Sequence, residues 1–223
     1  MRRSGILALL GPGAFGVAAA LGARREPGYV KRDRPISALA AHGSHAASVM
    51  VPGFVALGVA TAALGRALRG SAAAPDPVPT MVLVAGLATV GAGLARCSDP
   101  SCPTRGLDNG APRPTDDAHA ALSAAVFGLW IATPLVAARR SDGPELATYR
   151  RSSAVLGVLG LATLVGGGQL ARTGSQRGSG WAQRATIVSL LAWQPLAASQ
   201  AARQRERSTT RRRVTGRRPA GGA

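Results

Sequence analysis

Residues 48–65 read S-V-M-V-P-G-F-V-A-L-G-V-A-T-A-A-L-G, eighteen consecutive positions without a charged side chain. About 20 such residues, wound as an α-helix, cross the hydrocarbon core of a bilayer. Inside that core a chain must satisfy its own backbone N–H and C=O groups, which a helix does within one segment. Working outward, the same pattern recurs six times, at about 4–23, 48–68, 80–95, 118–138, 153–171 and 181–199. The third run is short, although Val78 and Pro79 can lengthen it. The sequence therefore predicts an all-α polytopic membrane protein, six transmembrane helices in one bundle over residues 1–200. Residues 201–223 read as a disordered, arginine-rich cytoplasmic tail, because they have charge without apolar periodicity.

The fifth run, A-V-L-G-V-L-G-L-A-T-L-V-G-G-G-Q-L at 154–170, is rich in glycine. Such residues weaken a helix in water, but in lipid they let helix backbones approach and pack by van der Waals contact. The first run has the layout of a secretory signal, with Arg2 and Arg3, an apolar stretch to Leu21 and the small-residue end L-G-A. Five further runs follow it, so a retained first helix is the simpler account.

Charge is strongly one-sided: 27 Lys and Arg against ten Asp and Glu, a formal net of +17. An excess of that size suits a nucleic-acid binder, yet here the arginines fall between apolar runs and only eight residues are aromatic. That is too few for a base-stacking surface. Membrane topology explains the charge better, since Lys and Arg accumulate in cytoplasmic loops. With the N-terminus inside, sixteen basic residues lie on the cytoplasmic side and eleven outside. Both termini are then cytoplasmic. The tail arginines, each contributing about 1 kcal/mol near an anionic surface, are expected to contact lipid headgroups rather than nucleic acid.

Three places could carry chemistry. The loop 28–45, G-Y-V-K-R-D-R-P-I-S-A-L-A-A-H-G-S-H, holds Ser37, His42 and His45. Its segment 36–41 is mildly amphipathic and suits the membrane interface. Two histidines three apart can share a helix face as metal ligands do, but solvated loop histidines explain them as well. The loop after the third run holds Cys97 and Cys102, the only cysteines, around Asp99. On an extracytoplasmic face a Cys97–Cys102 disulfide persists, and two thiolates alone do not complete a zinc shell. Asp116, Asp117 and His119 open the fourth run. They can hold a cation or relay a proton, although the aspartates are equally explained as capping a helix N-terminus.

The runs themselves are quiet. None carries a buried Asp, Glu or Lys, which disfavours an ion-coupled transporter. Arg184 can snorkel to the outer surface. Trp130 and Trp181 fit interfacial or lipid-facing anchors. Gln169, Gln194 and Thr133 are polar positions that neighbouring helices can satisfy.

The run I-S-A-L-A-A-H-G at 36–43, P-G-F-V-A-L-G at 52–58, and C-S-D-P-S-C-P at 97–103 followed by His119 resemble the bacterial membrane family filed as domain of unknown function 998. The resemblance covers roughly 5–199 and implies a six-helix integral membrane protein without an assigned reaction. This chain departs from it in its basic tail and arginine-rich first loop. The function expected is that of a non-enzymatic scaffold, sensor or lipid-interacting module, with no cofactor and with membrane lipids as partners. The alternative is a metal-assisted intramembrane hydrolase acting on lipid, with His42, His45, His119 and Asp99, Asp116 or Asp117 holding zinc and an open water position. A small-solute transporter is a third class.

Overall fold

The computed structural model describes residues 3–98, 114–172 and 177–215. Among them the chain is helical, with six helices: α1 (Arg3–Arg25), α2 (Ala47–Leu68), α3 (Val78–Leu94), α4 (Pro114–Arg140), α5 (Ala147–Arg172) and α6 (Ser179–Thr215). Short 3-10 turns lie at Ile36–Ala40 and Pro144–Leu146. Each helix contains one apolar run, and its ends follow local chemistry. Pro79 sits in the first turn of α3, where a missing N–H is harmless. Asp116 and Asp117 occupy the first turn of α4 and Arg139 and Arg140 the last, both complementing the helix dipole.

Consecutive helices pack side by side, and α6 returns against α1 and α2 to close the bundle. One buried cluster, including Phe15, Leu39, Met50, Leu57 and Ile131, fills the end where α1 runs into α2. A second, including Leu64, Leu68, Val78, Leu146 and Trp193, fills the opposite end. The α2–α3 seam is the tightest. A Cβ built on Gly58 would lie 2.6 Å from the Gly86 carbonyl oxygen, and one on Gly65 2.5 Å from the Leu83 nitrogen. Small residues thus bring these two backbones into direct contact.

Outward faces are apolar: Val155, Val158, Leu159, Leu161 and Val165 of α5, with Val84, Leu87 and Val188, are all exposed. Apolar exposure of this kind marks a surface that meets lipid or another apolar partner. Among the described residues, three segments are long and apolar enough to cross a membrane, α2, α4 and Pro144–Leu170, while α3 is a shorter apolar helix.

Two expectations need correction. The basic segment from 201 onward is helical to Thr215, as a direct continuation of α6. Its first turn is fastened to the bundle: Gln204 Oε1 accepts from the Ser71 hydroxyl (2.8 Å) and the Ala73 N–H (3.1 Å), and Arg205 donates to the Ala67 carbonyl. Arg and Gln are good helix formers, and the tether extends an already nucleated helix. Residues 216–223 lie outside the described residues. Trp130, read as an interfacial or lipid-facing anchor, is instead 8% exposed and faces the core. Trp181 is exposed, as an anchor would be.

Candidate functional site

The bundle end that carries the α1–α2 connection is covered by a cap, built from residues 26–46, residues 95–98 with the first turn of α4, and the start of α6. Antiparallel neighbours bring these three segments to one end, and hydrogen bonds then lock them.

Arg184, one turn into α6, is the main fastener. Its guanidinium donates to the carbonyls of Arg34 (3.0 Å), Gly180 (2.8 Å) and Lys31, and to the Tyr29 phenol oxygen. The same guanidinium stacks 5.7 Å from the Tyr29 ring centroid and 6.0 Å from that of Trp181. Tyr29 passes the bond on by donating to the Pro35 carbonyl at 2.9 Å. Burial raises the Tyr29 phenol above its ordinary value, and the Arg184 charge and hydrogen bond pull partly the other way. Around this centre Ile36 N–H donates to Gln183 Oε1 (2.7 Å) and Trp181 N–H to the Arg32 carbonyl (3.1 Å). The Gly178 N–H donates to Asp33 Oδ1 (3.1 Å). Asp33 is also paired with Arg32 at 2.8 Å. That hydrogen bond, first among several causes, holds its carboxyl below the ordinary value. Arg184 therefore does not snorkel to the surface as its place in an apolar run suggests. Enough loop carbonyls converge on it to absorb its donors inside the cap.

The same loop is fastened to the segment that follows α3. Arg96 donates from Nε to the Ala40 carbonyl (2.8 Å) and from a terminal nitrogen to that of Ala41 (2.9 Å), and His42 N–H donates to the Cys97 carbonyl (2.9 Å). Under these bonds Ile36, Ala38, Leu39 and Ala40 are buried. Segment 36–41 is accordingly part of the core, not an interfacial strip. Glu26 Oε2 stands 2.7 Å from the Ser44 hydroxyl and 3.3 Å from the Ala46 N–H, closing the loop at the start of α2.

The third joint binds α3 to α4. Asp116 accepts the Ser98 N–H at 2.7 Å on one carboxylate oxygen and the Ser98 hydroxyl at 2.8 Å on the other. His119 is buried, with Nδ1 at 3.0 Å from the Ala92 carbonyl and 2.8 Å from that of Ala95. Two acceptors at one nitrogen place the proton on Nδ1, which supplies a donor to carbonyls that the last turn of α3 leaves without helical partners.

Of the residues singled out in the sequence, Ser37 is half-buried in the 3-10 turn, His42 and His45 are exposed, and Asp117 is exposed in the first turn of α4. Asp116 and His119 are structural joints. Cys97 is buried, and no free thiol occurs among the described residues. Asp99 and Cys102 lie outside the described residues. Among the described residues no three His, Cys, Asp or Glu side chains gather as metal ligands would. The sequence reading missed Tyr29, Gln183 and Arg96. The one signal that pointed to them was an arginine within the sixth apolar run.

A model of the family described as protein of unknown function (DUF998) matches residues 9–200. No curated protein and no solved structure matches the chain.

Proposed function

From the premise that the chain belongs to the DUF998 family, we propose that it is a non-enzymatic, multi-pass membrane module that holds anionic lipid headgroups at one end. All six helices are its spans, and both termini face the cytoplasm of a bacterial cell. The observation that carries this reading is the distribution of arginines at the end opposite the cap. Exposed Arg66, Arg69, Arg139, Arg140, Arg150 and Arg151 surround that end, and α6 leaves it as a helix bearing exposed Arg203, Arg205 and Arg207. Held on helices rather than on a coil, these guanidiniums lose little conformational freedom on meeting phosphates, which they can engage bidentately. Their placement also follows the rule that basic residues stay on the cytoplasmic side. The cap, with a Cys97–Cys102 bridge shaping its α3–α4 loop, would form the extracytoplasmic face.

Native mass spectrometry of the full chain from nanodiscs of mixed phosphatidylglycerol and phosphatidylcholine tests this. Retention of phosphatidylglycerol over phosphatidylcholine is expected, reduced by Arg203→Gln, Arg205→Gln and Arg207→Gln together. Equal retention of the two lipids would overturn the reading.

A further inference from the structure

Between α2, α3, α4 and α6 the bundle leaves a small cavity lined by Thr61, Val82, Trp130, Thr133, Leu190 and Gln194, together with Trp193. Two of these residues carry buried polar atoms that have no hydrogen-bond partner: the indole nitrogen of Trp130, a donor, and Oε1 of Gln194, an acceptor. Both residues are more than nine-tenths buried, at 8% and 3% exposure. An orphan donor and an orphan acceptor in one apolar surrounding are each expensive, because neither has water to fall back on. Neither can be relieved locally. Gln194 already uses its amide nitrogen to donate to the Thr61 hydroxyl at 3.0 Å. Thr133 spends its hydroxyl proton on the Leu129 carbonyl at 2.6 Å, which leaves its oxygen able only to accept.

We propose that this cavity is a binding site for one water molecule, which accepts from Trp130 and donates to Gln194. Its second proton goes to the hydroxyl oxygen of Thr133. The space open to the centre of a water-sized sphere is about 10 Å³. That is room for a single water and too little for a larger solute. Three partners are the usual complement of a buried structural water. The lining contains no ionisable side chain, so a dehydrated ion would have no countercharge and a neutral molecule is the fitting occupant. The bound water would join α4 to α6 and, through the Gln194–Thr61 bond, to α2.

The three tryptophans make the test direct. Full-length protein labelled with 15N-tryptophan is studied by NMR for magnetisation transfer from water to each indole N–H, with Trp→Phe variants for assignment. Trp193 is the internal control, being buried but donating to the Ser153 hydroxyl at 3.1 Å. Transfer from a long-lived water to Trp130 but not to Trp193 is the expected result, and it is lost in Gln194→Met, which removes the acceptor at similar volume. No transfer to Trp130 in the unmodified chain overturns the proposal without any variant. Transfer that survives Gln194→Met also overturns it, since the source is then an exchanging threonine hydroxyl.

Discussion

The backbones of α2 and α3 touch at Gly58 and Gly86: a side chain begun at Gly58 would meet the Gly86 carbonyl oxygen at 2.6 Å and the Val90 nitrogen at 2.8 Å. The obstacle is backbone on both sides, so neither helix can yield by turning a rotamer. Gly58→Ala and Gly86→Ala should each destabilise the protein by about 1–3 kcal/mol, the usual range for overpacking a filled site. Gly128, in α4, has nothing within 4 Å of a built Cβ. There alanine should be neutral or gain up to about 1 kcal/mol of helix propensity. Thermal unfolding of the three variants in one detergent checks the contrast, and equal midpoints would contradict the close contact.

Much of this architecture is legible in the chain, because one kind of signal dominates it. Each apolar run falls on a helix, closely bounded at 48–68 against Ala47–Leu68 and 80–95 against Val78–Leu94, while the sixth helix runs on to Thr215. What stayed hidden depends on contacts between distant segments. Nothing local distinguishes Gly58 and Gly86 among 29 glycines. Likewise, charge and absent periodicity make 201–215 read as coil, yet a helix anchored through Gln204 continues across it. Arg184 and Trp130 were misplaced for a related reason: composition assigns them to a surface, and only partners 150 residues away in sequence for Arg184, or the packed core for Trp130, reassign them. At the candidate site the sequence drew attention to histidines and carboxylates, of which Asp116 and His119 became joints and His42 and His45 stayed exposed.

His119 offers a cleaner test of a joint. Its Nδ1 is the side-chain donor for the Ala92 and Ala95 carbonyls at the end of α3. Removing it in His119→Ala strands those acceptors in a buried setting and should lower stability by about 1–3 kcal/mol. His119→Asn retains a donor and should recover part of the loss. A His119→Ala midpoint equal to that of the unmodified chain would show that the hydrogen bonds contribute nothing net.

Arg184 should control the mobility of the cap rather than the existence of the bundle. Arg184→Gln removes the donors shared by the Lys31, Arg34 and Gly180 carbonyls while the helices keep their packing. The expected outcome is faster protease cleavage at Lys31, Arg32 or Arg34 with little change in helix content. Local opening of this kind requires only a sub-global rearrangement. Cleavage at the unmodified rate would mean that apolar burial of 36–40 holds the cap unaided.

Two groups give the cap a pH dependence at opposite ends of the scale. Tyr29 has a folded pKa raised above 10.0, first by burial. Its contribution is complete below the unfolded value and is lost as pH rises through the folded one, where the phenolate could no longer donate to Pro35. Asp33 is depressed below 3.8, first by its hydrogen bond with Arg32. Its contribution is present above the unfolded value and disappears as pH falls through the folded one. Amide exchange in residues 28–36 should therefore be slowest relative to the intrinsic rate between these limits. In Tyr29→Phe the alkaline loosening should vanish while the acid limb remains; a limb that persisted would assign it to another group.

The last expectation concerns the cysteines. Cys97 is buried, its carbonyl receives the His42 N–H, and the residue after it is held by Asp116. Cys97 is thus held in place just past the end of α3, and Cys102 is the other cysteine in the chain. If the cap faces an oxidising compartment, the pair persists as a disulfide. Protein denatured under a maleimide reagent without reductant should then take up no label, and two labels per chain after reduction. Closing so short a loop stabilises the fold by roughly 2–3 kcal/mol at most on chain-entropy grounds. Its larger effect should be on the α3–α4 loop, seen as faster proteolysis between 99 and 113 after reduction. Two labels without reductant would contradict both the bridge and the orientation that places this face outside.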